Sequence, residues 1–265
     1  TLEKLHPFYW ELVDVLVGVD ELKNALGAMD WARKTVQSIR SEADRQIRAS
    51  TNSEQAKQAR KAVYGRMASV VEQVADEIAF VKQACIDLRQ LPTLKLDRPV
   101  LVVAGFPNVG KSSFLAHISR AEPEVASYPF TTKGINLGHV ELRHVLVQVM
   151  DTPGLLDRPL DERNDIERQA IHALRHAGDA VLFILDPSTH CGYPIEDQLH
   201  LLEEVQRDFS ETKVLVAENK ADLKASGEHP AMSCTTGEGV EEVTQMALEA
   251  AWEGFEERQR EIRGW

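Results

Sequence analysis

Eight consecutive residues, Gly105-Phe-Pro-Asn-Val-Gly110-Lys111-Ser112, fit the pattern G-x-x-x-x-G-K-[ST], whose spacing suits the folding of backbone N–H groups around phosphate oxygens. The glycines permit the curl, and the helix that follows turns its N-terminal amides toward the anion. Lys111 brings a positive charge to the β- and γ-phosphates, and Ser112 offers a hydroxyl to Mg²⁺. The pattern lies where this chemistry needs it, behind the apolar run Val100–Ala104 and ahead of the helical spacing Phe114, Leu115, Ile118. Gly105, Pro107, Asn108, Val109, Gly110, Lys111, Ser112 and Ser113 are therefore candidate nucleotide contacts.

Two further elements complete a nucleotide site. Asp151-Thr-Pro-Gly154 closes another apolar run, so the Asp151 carboxylate can hold Mg²⁺ through water and the Gly154 N–H can bond a γ-phosphate. Asn219-Lys220-Ala221-Asp222 follows the run Val214–Ala217. A carboxylate accepts from both N1–H and the exocyclic N2–H₂ of guanine, whereas adenine presents an unprotonated N1, so Asp222 selects GTP over ATP. Ser233-Cys234-Thr235 then offers a backbone N–H to guanine O6, with Cys234 also reading as a small buried thiol.

Strands and helices must position these residues. Val100–Ala104, Val145–Met150, Ala180–Leu185 and Val214–Ala217 are short apolar runs, and helical segments separate the later ones. The pattern predicts an α/β domain with a largely parallel sheet and helices on both faces, over residues 97–265. A hairpin turn is expected at Leu142-Arg143, between His139 and His144. Upstream, Asp20 to Leu91 holds no proline and two glycines, Gly27 and Gly65, with apolar residues at helical spacing such as Val70, Val74, Ile78, Val81, Cys85 and Leu88. Residues 1–96 are expected to form a helical bundle, with one long helix before the capping turn Ser50–Ser53 and one after it, stopped at Leu91-Pro92.

The chain has 265 residues and a net charge of −12, with no apolar run near the ~20 residues of a membrane span. The acidity is lopsided: 15 Lys+Arg face 14 Asp+Glu through residue 98, and 15 face 28 beyond it. Arg33, Lys34, Arg40, Arg45, Arg48, Lys57, Arg60, Lys61 and Arg66 meet only Glu42, Asp44 and Glu54 within their stretch, a candidate surface for phosphates of a nucleic acid. Cys85, Cys191 and Cys234 fit neither a disulfide framework nor a metal pair, so a reducing, cytoplasmic compartment is expected. No signal-peptide pattern follows Thr1, and a processed or trimmed chain is the expectation.

These elements stand in the order of a translation-factor-type GTPase domain, and Tyr128-Pro-Phe-Thr131-Thr132-Lys133 resembles the first switch of the Obg-like group. More specifically, the chain resembles Nog1, a family of ribosome-assembly GTPases, in its short archaeal form. His6-Pro-Phe-Tyr9, Ala25-Leu-Gly27, Ala32-Arg-Lys34, Gly65-Arg-Met67, Gly105–Ser113 and Asp151–Leu160 carry the resemblance, which reaches into the helical half.

By that resemblance Thr132, with Thr131 close behind, closes onto Mg²⁺ and the γ-phosphate, so Ser112, Thr132 and Asp151 are the expected metal ligands. The resemblance also gives Lys111, Asn108, Thr132 and Gly154 as catalytic candidates. Asn108 matches the asparagine that helps hold K⁺ beside the phosphates in potassium-activated relatives, although an asparagine also tolerates such a turn. Leu155 stands where Ras-like proteins carry the water-orienting glutamine, so slow intrinsic hydrolysis is expected. The function implied is a monomeric switch that hydrolyses GTP to GDP and docks on the large ribosomal subunit or its precursor, through rRNA and protein contacts of the helical half. The alternatives are an Obg-like switch with a non-ribosomal protein partner and a nucleotide-dependent structural scaffold that binds GTP and hardly turns it over. His172 and His176, an i, i+4 pair outside any H-E-x-x-H pattern, are expected on a solvated helix face.

Overall fold

The apolar runs become strands of one six-stranded sheet. A computed structural model describes residues 5–91, 93–119, 123–126, 128, 134–158, 163 and 165–263. Its elements are α1 (Pro7–Val17), α2 (Val19–Ala49), α3 (Ser53–Gln73), α4 (Ala75–Leu88), β1 (Val100–Ala104), α5 (Lys111–Ile118), β2 (Glu124–Ala126), β3 (Ile135–Leu142), β4 (Val145–Asp151), α6 (Asp165–Ala177), β5 (Ala180–Leu185), α7 (Ile195–Asp208), β6 (Lys213–Glu218) and α8 (Val240–Arg263). The strand order is β2-β3-β4-β1-β5-β6. β4, β1, β5 and β6 pair in parallel, and β3 is antiparallel to both its neighbours.

β1 and β5 are buried at every residue, which requires cover on both faces of the sheet. The successive crossovers through α6 and α7 run the same way across the sheet, and their right-handed sense puts both helices on one face. Helices α5 and α8 supply the opposite cover, α8 packing against β1 and β5 and α5 against β3 and β4. The expected hairpin turn is present: Arg143 and His144 take φ of 51° and 65° between the paired ends Leu142 and Val145, the two left-handed residues of a type I′ turn.

The chain divides into two compact units, residues 1–15 with 90–265 and residues 16–89. In this division most of α1 and residues 90–96 fall with the α/β unit. Phe8 and Leu12 of α1 are fully buried in the same core as the sheet, so the first helix belongs with the α/β unit. The apolar face of α1, which reads in sequence like the start of a helical bundle, is satisfied by the other core.

Within residues 16–89, Asn52 caps α3 by accepting from the Gln55 N–H at 2.9 Å. Ala32, Ile39 and Ala43 of α2 bury against Val63 and Val70 of α3 and against Val74. The single long second helix expected from sequence is instead two. Val74 leaves helical geometry at φ −117°, ψ 20° while remaining buried, so α3 packs along α2 and α4 resumes packing on the same partner. No proline or glycine marks this break. The kink serves the packing of Val74, which a local pattern does not show.

Candidate nucleotide site

The Gly105–Ser112, Asp151–Gly154 and Asn219–Asp222 segments leave the carboxyl ends of β1, β4 and β6, where an open parallel sheet offers its crevice. Both glycines of the phosphate loop are explained by geometry. Gly105 takes φ 133°, and a Cβ there would stand 2.5 Å from the Ile184 carbonyl oxygen of β5. Gly110 takes φ 106°, and a Cβ there would stand 2.1 Å from Nδ2 of Asn219. Only glycine allows this left-handed backbone and this approach together. Helix α5 then starts with no side-chain cap at Gly110, which leaves its first amides to an anion.

Lys111 is buried and folds back over the loop, its Nζ donating to the carbonyls of Gly105 at 2.7 Å and Phe106 at 2.8 Å. Pro107 and Val109 lie in the same loop, Val109 fully buried and the exposed Asn108 at φ 61°. That left-handed backbone gives Asn108 a turn role of its own. Ser113 is exposed on the first turn of α5.

Ser112 and Asp151 lie side by side: Ser112 Oγ donates to Asp151 Oδ2 at 2.6 Å. Sequence reading missed Asn136, whose amide Nδ2 donates to the same oxygen at 3.0 Å. Its only sequence signal is the antiparallel register that sets Asn136 opposite Asp151. The other oxygen, Oδ1, is buried and has no hydrogen-bond partner among the described residues. A buried carboxylate with an idle oxygen beside a hydroxyl is a hard-oxygen donor set, and it fits Mg²⁺. Thr131 and Thr132 lie outside the described residues. Tyr128, from the same stretch, is buried with its hydroxyl donating to the Ala170 carbonyl of α6 at 2.8 Å.

The base-reading residues are joined to the phosphate loop by one side chain. Asn219 donates through Nδ2 to the Val109 carbonyl at 2.8 Å and accepts through Oδ1 from the Cys234 N–H at 3.1 Å. The Cys234 amide, one of the backbone N–H groups that Ser233-Cys234-Thr235 offers, is therefore engaged. Exposed Asp222 is held by Ser233 Oγ at 2.5 Å, and Thr235 is exposed next to Cys234. Burial pushes the Cys234 thiol up to about 11 against the effect of its Asn219 contact, so it stays protonated and inert.

Lys220 pairs with buried Asp186 at 2.6 Å, a partner the sequence reading did not single out. Burial works against that carboxylate, yet its bonds to Lys220, Ser188 and the Cys191 N–H hold its pKa below the ordinary value. Two other residues complete the Asp151–Asp157 segment. The Gly154 N–H, at φ 85°, donates to Asp157 Oδ2 at 2.8 Å. Leu155 is fully buried and turned into the core.

A family model described as the NOG1 N-terminal helical domain matches residues 1–95, and one described as nucleolar GTP-binding protein 1 (NOG1) matches residues 165–222. The crystal structure of a nucleolar GTP-binding protein 1 from Plasmodium falciparum superposes with a TM-score of 0.58 at 31% identity, covering 66% of this chain and 96% of that one. The chain belongs to the Nog1 family. Among its relatives, an uncharacterised protein of Methanocaldococcus jannaschii is 49% identical over 222 residues, 84% of this chain and 62% of that protein. Nucleolar GTP-binding protein 1 of Drosophila melanogaster is 40% identical over 222 residues, 84% of this chain and 34% of that protein. The chain thus spans about a third of the length of this animal relative and under two thirds of the archaeal one. Among the described residues no helix is long and apolar enough to cross a membrane.

Proposed function

We propose that this Nog1-family chain binds GTP with Mg²⁺, hydrolyses it slowly to GDP and phosphate, and acts as a nucleotide switch on the large ribosomal subunit or its precursor. The observation that carries the reading is the bridge through Asn219, which ties a phosphate-binding loop to a base-reading loop whose Asp222 faces solvent. The family name of the relatives supports GTP as the ligand, and its word "nucleolar" supports a ribosomal setting.

In the bound state Lys111 exchanges its loop carbonyls for β/γ-phosphate oxygens, and the amides of residues 109–113 complete the cradle. Ser112 and Asp151, with Thr132 by family resemblance, would hold Mg²⁺, which would supply positive charge at the phosphates. Water attacks the γ-phosphorus in line, the bond to the β-phosphate oxygen breaks, and the proton of the attacking water passes to an oxygen of the departing γ-phosphate. Charge on the transferring group is met by Lys111, the loop amides and the Gly154 N–H. With Leu155 in the core, no side chain at that position orients the water, and the intrinsic rate is slow. Asn108, exposed on the loop, is the candidate K⁺ ligand.

The helical unit supplies the docking surface in this reading. Arg33 and Lys34 are paired with Asp30, both at 2.7 Å, and Arg66 with Glu42 at 2.8 Å. The basic surface is therefore narrower than the sequence count, centred on exposed Arg40, Arg45, Arg48, Lys57, Arg60 and Lys61 around the α2–α3 turn. Each phosphate contact adds ~0.9 to the salt slope for duplex nucleic acid and ~0.7 for single strands. Binding to purified large ribosomal subunits should be tighter with a GTP analogue than with GDP. The double substitution Arg60→Glu, Lys61→Glu should lower the salt slope by roughly one to two. Equal binding in both nucleotide states contradicts the ribosomal switch, and an unaltered slope in the double variant contradicts docking by this face. Capture of a non-ribosomal protein in the GTP state alone, with no subunit binding, favours the other Obg-like reading.

A further inference from the structure

His172 and His176 are not the bare solvated face that their spacing suggests. One turn apart on α6, they converge on Glu11 of α1, within the same compact unit. Nδ1 of His172 lies 2.9 Å, and Nε2 of His176 3.1 Å, from the same oxygen, Glu11 Oε1. The second oxygen, Oε2, is buried without a hydrogen-bond partner among the described residues. As a hydrogen-bond arrangement this uses one oxygen twice and leaves the other idle.

As a ligand set it is economical. One ligand atom from each residue falls within 4.8 Å of the others. Metal–ligand bonds of ~2.0–2.1 Å at the tetrahedral angle set ligand atoms about 3.3 Å apart, so the two observed O···N distances need to open by only a few tenths of an ångström. Two imidazoles and one carboxylate make a borderline donor set that suits Zn²⁺ and disfavours Mg²⁺ or Ca²⁺. The His172 and His176 side chains are 52% and 38% exposed, which gives an ion a path in and leaves a coordination position open to water.

We propose that Glu11, His172 and His176 form a binding site for a divalent transition metal of the zinc class, which clamps α1 to α6. The site is distinct from the Ser112–Asp151 pair in both place and ligand chemistry. Its position gives the clamp a consequence, because Ala170, two residues before His172, receives the Tyr128 hydroxyl. A bound ion fixes the helix on which that switch-stretch tyrosine rests.

The test uses the full chain stripped with a chelator and titrated with Zn²⁺ against a chromophoric competitor. One equivalent should bind, and Co²⁺ in place of Zn²⁺ should give visible bands of tetrahedral intensity without any substitution being needed. His172→Ala and His176→Ala each remove a ligand, so each should weaken binding by more than the ~10–100-fold typical of losing an outer-shell partner. Alanine favours helix and these positions are partly solvated, so α6 should persist, which circular dichroism and GDP binding check. Glu11→Gln is a second route to the same loss. Zn²⁺ should raise the melting temperature of the unmodified chain and not that of the double histidine variant. Absence of stoichiometric binding, or Zn²⁺ binding that survives in the double variant, overturns the proposal.

Discussion

The Gly154 N–H donates to Asp157 Oδ2 at 2.8 Å, so the amide that a γ-phosphate would engage is held by a carboxylate three residues on. In the proposed function GTP has to displace this contact and GDP does not. Asp157→Ala should therefore strengthen binding of a non-hydrolysable GTP analogue about 5–10-fold relative to GDP, the equivalent of one net hydrogen bond of ~1–1.5 kcal/mol. Equilibrium titration of both nucleotides checks the ratio, and an unchanged ratio removes Gly154 from γ-phosphate recognition.

The approach of Gly110 to Asn219 gives a second prediction. A methyl group at 110 meets Asn219 Nδ2 at 2.1 Å on a backbone at φ 106°. Gly110→Ala should cost about 1–3 kcal/mol in stability and lower guanine-nucleotide affinity more than tenfold, because loop and base reader shift together. Asn219→Ala should lower affinity as well, by leaving the Val109 carbonyl and the Cys234 N–H without their shared partner. Thermal unfolding and fluorescent-GDP titration check both variants.

Asp222 stands exposed with Ser233 Oγ on its Oδ1. Asp222→Asn exchanges one acceptor for a donor, and the C2 oxygen of xanthine can accept from it. The variant should lose guanine affinity and gain xanthine-nucleotide binding, with a reversal of preference of at least tenfold in competition titrations. Equal loss for both bases would assign the selectivity elsewhere.

Much of this site was legible because short motifs carry their own geometry. The phosphate loop, the Asp151 turn and the Asn219–Asp222 loop each follow a strand predicted from its apolar run, and each strand formed. What the sequence concealed arises from contacts between distant segments. Asn136 joins Asp151 through strand register, Asp186 joins Lys220 across two loops, and Glu11 joins histidines more than 160 residues away. An amphipathic helix shows that it needs a partner and not which one, so the burial of Phe8 and Leu12 of α1 in the core of the sheet is not visible locally. The break at Val74 escapes for the same reason, since buried packing and not a helix-breaking residue produces it.

Asn108 supports a prediction in which two roles separate. Its left-handed φ of 61° explains an asparagine without an ion, whereas K⁺ ligation demands an effect on rate. Hydrolysis should be faster in KCl than in NaCl at equal ionic strength, and Asn108→Ala should abolish most of the difference with Mg²⁺ and nucleotide still bound. Identical rates in the two salts would leave Asn108 as a turn residue alone.

The most direct test of the central claim is single-turnover conversion of nucleotide on the purified full chain in Mg²⁺, comparing GTP with ATP and the unmodified chain with Lys111→Ala. The account predicts slow, complete conversion of bound GTP to GDP, no comparable binding or turnover of ATP, and loss of GTP binding in the Lys111 variant. Equal handling of ATP and GTP, or GTP that stays bound and intact over many hours, would contradict it.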